Sequence, residues 1–104
     1  MKLPTLTHLQ FAVLEEIGAA KMSGRELRER LKKNRKIHKS GPAFYQLMSR
    51  LEEAEFVEGW YDQKIIEGQI IKQRHYRLLG DGIRALNETR KFYQTNAVGL
   101  PATA

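Results

Sequence analysis

The stretch SGPAFYQLMSRLEEAEFVEGWY, residues 40–61, decides the fold of this 104-residue chain. Ser40, Gly41 and Pro42 form a helix start, because a serine hydroxyl accepts from an unpaired backbone N–H and a proline in the first turn forfeits no hydrogen bond. Phe44, Leu47, Met48 and Leu51 then follow the i, i+3, i+4, i+7 spacing of a buried stripe. This predicts a helix to about Ala54 with Ala43, Tyr45, Gln46, Ser49, Arg50 and Glu53 facing outward. From Phe56 the period changes. The runs FVEGWYDQKII and QIIKQRHYRLL are rich in β-branched and aromatic residues and are joined by Glu67-Gly68, a two-residue hairpin turn. Centred on that turn, the register sets Val57 opposite Leu78, Glu58 opposite Arg77, Gly59 opposite Tyr76 and Trp60 opposite His75. Val57, Tyr61, Tyr76 and Leu78 share the face expected to cover the helices, and Lys72, Gln73 and Arg74 lie on the arm that leaves them.

Upstream of this block, Ser23 and Glu26 make a capping-box pattern that opens a helix through about Asn34, with Leu27 and Leu31 turned inward and an outer face nearly all Arg and Lys. Residues 34–39 lack periodicity and read as a basic loop. Thr7 caps a first helix over about 7–20. Its apolar residues exceed one stripe, which predicts one face for its own domain and another for a second subunit. Downstream, Gly80, Asp81 and Gly82 lead into a last helix over about 81–95, and residues 96–104 read as a disordered tail.

Composition narrows the function. The length suits one domain over 1–104, and 41% hydrophobic residues suffice for a core, which excludes wholesale disorder. With no cysteine, disulfide scaffolds, thiol catalysis and thiolate zinc sites are excluded. No apolar run spans a bilayer and the amino terminus lacks the apolar core of a secretion signal, so the expected location is the cytoplasm, away from any membrane. The net charge of +6 makes a polyanion the first partner to consider, with nucleic acid ahead of membranes. Residues 21–50 hold ten Lys and Arg against Glu26 and Glu29, whereas residues 51–71 hold six acids against Lys64. Alternation of this kind is expected of a folded domain with one polyanion-facing surface.

The element order predicts an α+β, mainly α, winged helix-turn-helix: three helices, a two-stranded β wing, and a C-terminal dimerisation helix. Winged helix and last helix would occupy about 6–79 and 81–95. The runs SGPAFYQLMSRLEEAEFVEGWY and QRHYRLLGDGIRAL also resemble the PadR-like transcriptional regulators, across roughly residues 6–93. That pattern has a small-residue start, a Phe-Tyr pair, Leu-x-x-Leu spacing, an acidic helix end, and Tyr-x-Leu before a glycine-containing helix start. Two positions depart from it: Glu55 stands where a glycine is usual, and Leu79 where a threonine is usual, its capping role falling to Asp81. The resemblance is to the short subgroup. It implies a homodimer formed through the first and last helices, a probe of the major groove in the third helix, and repression at a pseudo-palindromic operator.

Two kinds of residue serve duplex DNA. For phosphates the candidates are Arg28, Lys32, Lys33, Arg35, Lys36 and Lys39, with the N–H groups near Ser40. For bases they are Ser40, Ala43, Tyr45, Gln46, Ser49 and Arg50, since Gln pairs with adenine and Arg with guanine. On the wing, Lys64, Lys72, Gln73 and Arg74 are candidates for the minor groove or its phosphates. The dimer interface is expected at Leu6, Leu9, Phe11, Val13, Ile83, Leu86, Arg90 and Tyr93. Ile65, Ile66, Ile70 and Ile71 flank the wing turn, where cover by a partner subunit is expected.

His8, His38 and His75 sit on separate elements, so no metal site is expected, and Glu52, Glu53 and Glu55 read as a solvated helix end. With no phosphate loop or catalytic motif, neither an enzyme nor a cofactor is expected. A small-molecule effector beside Phe11, Trp60 or Tyr93 competes with core roles for those aromatics. The rival readings are a winged-helix protein-interaction module and an RNA-binding winged helix.

Overall fold

The computed structural model describes residues 6–98. Its elements are α1 (His8–Ile17), β1 (Lys21–Ser23), α2 (Gly24–Arg35), α3 (Gly41–Glu53), β2 (Val57–Ile66), β3 (Gln69–Leu78) and α4 (Gly80–Val98). The architecture is α+β, mainly α, but the sheet has three antiparallel strands in the order β1-β3-β2 rather than two.

The extra strand explains why α1 is shorter than its apolar pattern. Thr7 and Gln10 close a reciprocal capping box with two 3.0 Å hydrogen bonds. At the other end Gly18 adopts φ +56° and ends the helix at Ile17 instead of residue 20. The chain then pairs Lys21 with Arg77, Met22 with Tyr76 and Ser23 with His75. Ser23 ends that strand and caps α2, its hydroxyl accepting from the Glu26 N–H. Only half of the expected box forms, because the Glu26 carboxylate turns to Arg30 at 3.1 Å.

Helix α3 starts as its sequence predicts, with Ser40 accepting from the Ala43 N–H and Pro42 in the first turn. Phe44, Met48 and Leu51 are buried and Leu47 packs against the same core. Its end is a Schellman motif: Phe56 N–H donates to the Leu51 carbonyl at 3.0 Å and Glu55 N–H to that of Glu52 at 2.9 Å. Glu55 takes φ +62°, so the glutamate adopts the left-handed backbone that a glycine would hold without strain. The Phe56 carbonyl then accepts from Leu79 N–H at 3.0 Å, tying the root of β2 to the start of α4. A Cβ on Gly82 would stand 2.0 Å from that same carbonyl oxygen. Asp81 lies inside the first turn of α4 and pairs with Arg84, while Leu79 precedes the helix and its carbonyl accepts from Ile83.

The hairpin register is the one read from the turn, from Val57↔Leu78 to Ile66↔Gln69. Glu67 (φ +50°) and Gly68 (φ +79°) are both left-handed, as a twist-matched two-residue hairpin turn requires. Trp60 and His75 stack with centroids 5.9 Å apart on the ribbon face that carries Glu58 and Asp62. Every residue from Tyr61 to Ile70 is exposed, so the outer ribbon stands clear of the helices.

Three residues assigned to a subunit interface belong to the core. Val13 is 0% exposed, and Leu6 and Leu86 are also buried, because α1 packs on α2, α4 and β3 of its own chain and its surplus apolar surface is consumed there. Ile83 and Tyr93 remain exposed, Leu9 and Phe11 are half-buried, and Arg90 is held by Glu15 at 3.1 Å. Helix α4 continues to Val98, beyond the expected end at 95, so residues 96–98 of the expected tail are helical; the rest of that tail, 99–104, lies outside the described residues.

Left-handed backbone costs a non-glycine residue about 1–2 kcal/mol, and glycine loses roughly 0.5–1 kcal/mol more backbone entropy on folding. The difference favours glycine at 55, and Glu55→Gly is expected to raise stability in urea unfolding by about 0.5–1 kcal/mol. Gly82→Ala is expected to lower it by about 3 kcal/mol, since a backbone carbonyl cannot yield to the new methyl as a side chain would.

Candidate nucleic-acid interface

The α2–α3 corner and the wing form one surface with a cleft between them. On α3, Tyr45, Gln46, Ser49 and Arg50 are all exposed on its outward face, and Ala43 is half-buried against the domain. Gln46, Ser49 and Arg50 make no side-chain hydrogen bond or ion pair with other described residues. Tyr45, 40% exposed, is held more firmly. Its ring stands edge-on to Phe44 at 5.1 Å and lies over Gly24, where a Cβ would come 2.9 Å from the Tyr45 hydroxyl oxygen. Glycine at the start of α2 therefore admits a tyrosine beside it, with its outer edge in water.

The basic residues of α2 divide by task. Arg28 reaches back to the Lys39 carbonyl at 3.0 Å with its guanidinium 6.0 Å from the Phe44 ring centroid, and so pins the α2–α3 loop. Arg35, expected among the phosphate contacts, is turned the other way, onto Glu16 at 2.9 Å and Glu15 at 3.3 Å on α1, so its guanidinium is engaged within the chain. Lys32 and Lys39 border a shallow depression beside Phe44, near the start of α3. Lys33 lies on another side of α2, with Glu26, Glu29 and Arg30. Lys36 caps α2 in left-handed conformation. Lys32, Lys33, Lys36 and Lys39 are exposed, and their ammonium groups have no partner among the described residues.

Between α3 and the wing lies a cleft of about 640 Å³ lined by Arg25, Tyr45, Ser49, Glu52, Tyr61 and Arg74, among others. Arg74 is not a free wing cation. It donates to Glu52 on α3, and its guanidinium lies 4.8 Å from the Tyr61 ring centroid and 6.0 Å from that of Tyr76. Burial works against the charge of Arg74, yet the hydrogen bond and charge of Glu52 hold its pKa above the ordinary value. Burial also pushes the Tyr76 phenol up to about 12, with the Glu52 carboxylate adding to the shift. Gly59 leaves the room for this arrangement, since a Cβ there would meet a Glu52 oxygen at 2.5 Å. The Glu52–Arg74 pair thus fixes the wing against α3.

Glu52 was expected to be solvated, and Arg25 and Tyr61 were absent from the expected set. For Glu52 the sequence offered only Gly59, since glycine inside a strand marks a close approach without naming what approaches; for Arg25 and Tyr61 it offered no signal. Lys64 and Lys72 are exposed and unpartnered among the described residues, and Gln73 is half-buried opposite Asp62. No group of three His, Cys, Asp or Glu able to hold a metal occurs among the described residues. No helix there is long and apolar enough to cross a membrane.

Arg74→Ala strands the Glu52 carboxylate in the cleft and is expected to lower stability in urea by about 1–2 kcal/mol, between exposed and buried ion pairs. The folded chain retains the Tyr76 proton that an unfolded chain, with an ordinary value of 10.0, releases. That contribution is complete below pH 10 and is lost as pH rises toward 12. The urea midpoint of the wild type is expected to fall more steeply across this interval than that of Tyr76→Phe, which has no phenol to titrate.

No protein-family model and no curated protein matches the sequence. Solved structures do match in shape. A PadR family transcription regulator from Clostridium difficile R20291 superposes with a TM-score of 0.75 at 14% identity, over 88% of this chain and 92% of its own. A PadR family transcriptional regulator from Eggerthella lenta DSM 2243 gives 0.71 at 23% identity, over 88% and 76%. Bacillus subtilis PadR in complex with operator DNA gives 0.62 at 17% identity, over 78% of this chain and 45% of that longer protein. At such identities the likeness speaks for architecture, and the four helices and three-stranded sheet described above are the winged-helix fold of the PadR-like regulators.

Proposed function

We propose that this chain is a sequence-specific DNA-binding transcriptional regulator, acting as a homodimeric repressor on a pseudo-palindromic operator. The observation that carries the reading is the outward row of α3, where Gln46, Ser49 and Arg50 stand exposed beside a rim of lysines, all without side-chain partners among the described residues. Gln and Arg are the side chains that read adenine and guanine edges bidentately, and lysines without internal partners are suited to phosphates. The likeness in shape to a PadR bound to operator DNA supports the same reading.

In this reading α3 enters the major groove, and Ser40 with the first N–H groups of α3 meets a phosphate. Lys32, Lys36 and Lys39 clamp the backbone. Two copies joined through α1 and α4 would set their α3 helices about one turn apart on one side of the duplex. An open groove of about 460 Å³ lined by Phe11 and Tyr93, whose rings are 5.4 Å apart, offers apolar surface for that contact. Occupancy of the operator would exclude polymerase from an overlapping promoter.

Selection of genomic fragments on the purified protein at near-physiological salt, followed by sequencing, is expected to enrich a two-fold symmetric site. Changing Tyr45 and Gln46 together to Ala should abolish that enrichment while leaving weak general binding. Lys32→Ala and Lys36→Ala should each weaken binding to all duplexes and reduce the salt dependence of log K by about 0.9. Retention of all fragments alike, unaffected by the Tyr45 and Gln46 change, would overturn sequence-specific regulation.

A further inference from the structure

The last pair but one before the wing turn, Ile65 and Ile70, is 77% and 68% exposed. An apolar cross-strand pair near the end of an unsupported ribbon is a liability in water, with no neighbour among the described residues to cover it. Strand alternation says which way it faces. Ile65 falls in step with Gln63 and Tyr61, and Ile70 with Lys72 and Arg74, so the pair continues the ribbon face that lines the cleft beside α3. Charge is sorted between the two faces. From Val57 to Leu78 the α3-side face carries Lys72 and Arg74 and no carboxylate of its own, Arg74 being paired with Glu52 of α3, whereas on the opposite face Glu58 and Asp62 are balanced by Lys64 and Arg77. An anionic surface is therefore admitted on the side where the isoleucines stand.

We propose that Ile65 and Ile70 form an apolar wedge that enters the DNA minor groove flanking the major groove read by α3, and bends the duplex there. The inference rests on the proposed DNA-binding function and extends it. Ile65 lies four residues beyond Tyr61, which lines the cleft beside α3, so the pair stands about 13 Å farther out along the ribbon, within the half turn of DNA, about 17 Å, between neighbouring grooves. Lys72, one step back on the same face, meets a phosphate at the groove wall. Aliphatic side chains in this position separate base steps and kink DNA away from the minor groove. Such a contact releases no counterions, which distinguishes it from a lysine contact.

The test uses the full chain and the duplex recovered by genomic selection, carrying fluorophores at its ends. Ile65→Thr with Ile70→Thr keeps β-branching, and with it the strand, while adding a hydroxyl to each side chain. The double variant is expected to bind about tenfold more weakly at every salt concentration with an unchanged salt slope, and to lose most of the bend seen by energy transfer. Netropsin, which occupies the minor groove, should compete with the wild type and not with the variant. Lys72→Ala should lower the slope by about 0.9. Wild-type affinity and bend in the double variant would overturn the wedge and leave the regulator intact. A change of oligomeric state in sedimentation, with binding lost only in proportion, would overturn it in favour of a subunit contact. Failure of the wild type to bind any duplex would overturn both readings.

Discussion

The backbone of Phe56 is the point on which the rest of the structure depends. Its N–H closes the end of α3 on Leu51, its carbonyl receives the Leu79 N–H at the root of the hairpin, and α4 can approach only because residue 82 has no side chain. Four elements meet at the two amides that flank one residue, each satisfying or crowding a group that would otherwise be buried and unpaired. Displacement of that residue's backbone would change together the axis of α3, the exit of the wing and the seat of α4. Glu55, left-handed against its own preference, is held in place by the hydrogen bonds on either side of it.

Those parts of the fold that rest on local chemistry were legible in the amino-acid sequence. Ser40 and Pro42 mark a helix start whatever lies elsewhere, and Glu67-Gly68 fixes a register because the turn accepts only one pairing of its flanks. What could not be read was set by distant partners. Strand β1 is three residues with no alternation, recognisable only beside β3. The greasy flank of α1 looks the same in sequence whether a second subunit or α4 covers it, and for Val13 the cover is internal. Of the site, the outward row of α3 followed from periodicity. The fate of the arginines did not, because nothing in the sequence says that Arg35 will find α1 or that Arg74 will find Glu52.

The arginines and lysines of the chain have separated by chemistry. Among the described residues every ion pair uses an arginine or His75, and none uses a lysine. A guanidinium presents a rigid fork that repays fixing with several directed hydrogen bonds, whereas an ammonium on a flexible stem keeps its hydration. Arg28, Arg35 and Arg74 accordingly act as struts, between α2 and its loop, α2 and α1, and the wing and α3. The block of charge that seemed uniform in the sequence is thus part framework and part free surface, and the free part is mainly lysine.

The stacking of Trp60 on His75 has a practical consequence. Trp60 is the only tryptophan in the chain, and it sits in the ribbon rather than in the helical core. Indole emission therefore comes from the wing alone. A change at the wing would register without an attached label, while rearrangements confined to the helices would leave the intrinsic signal nearly silent.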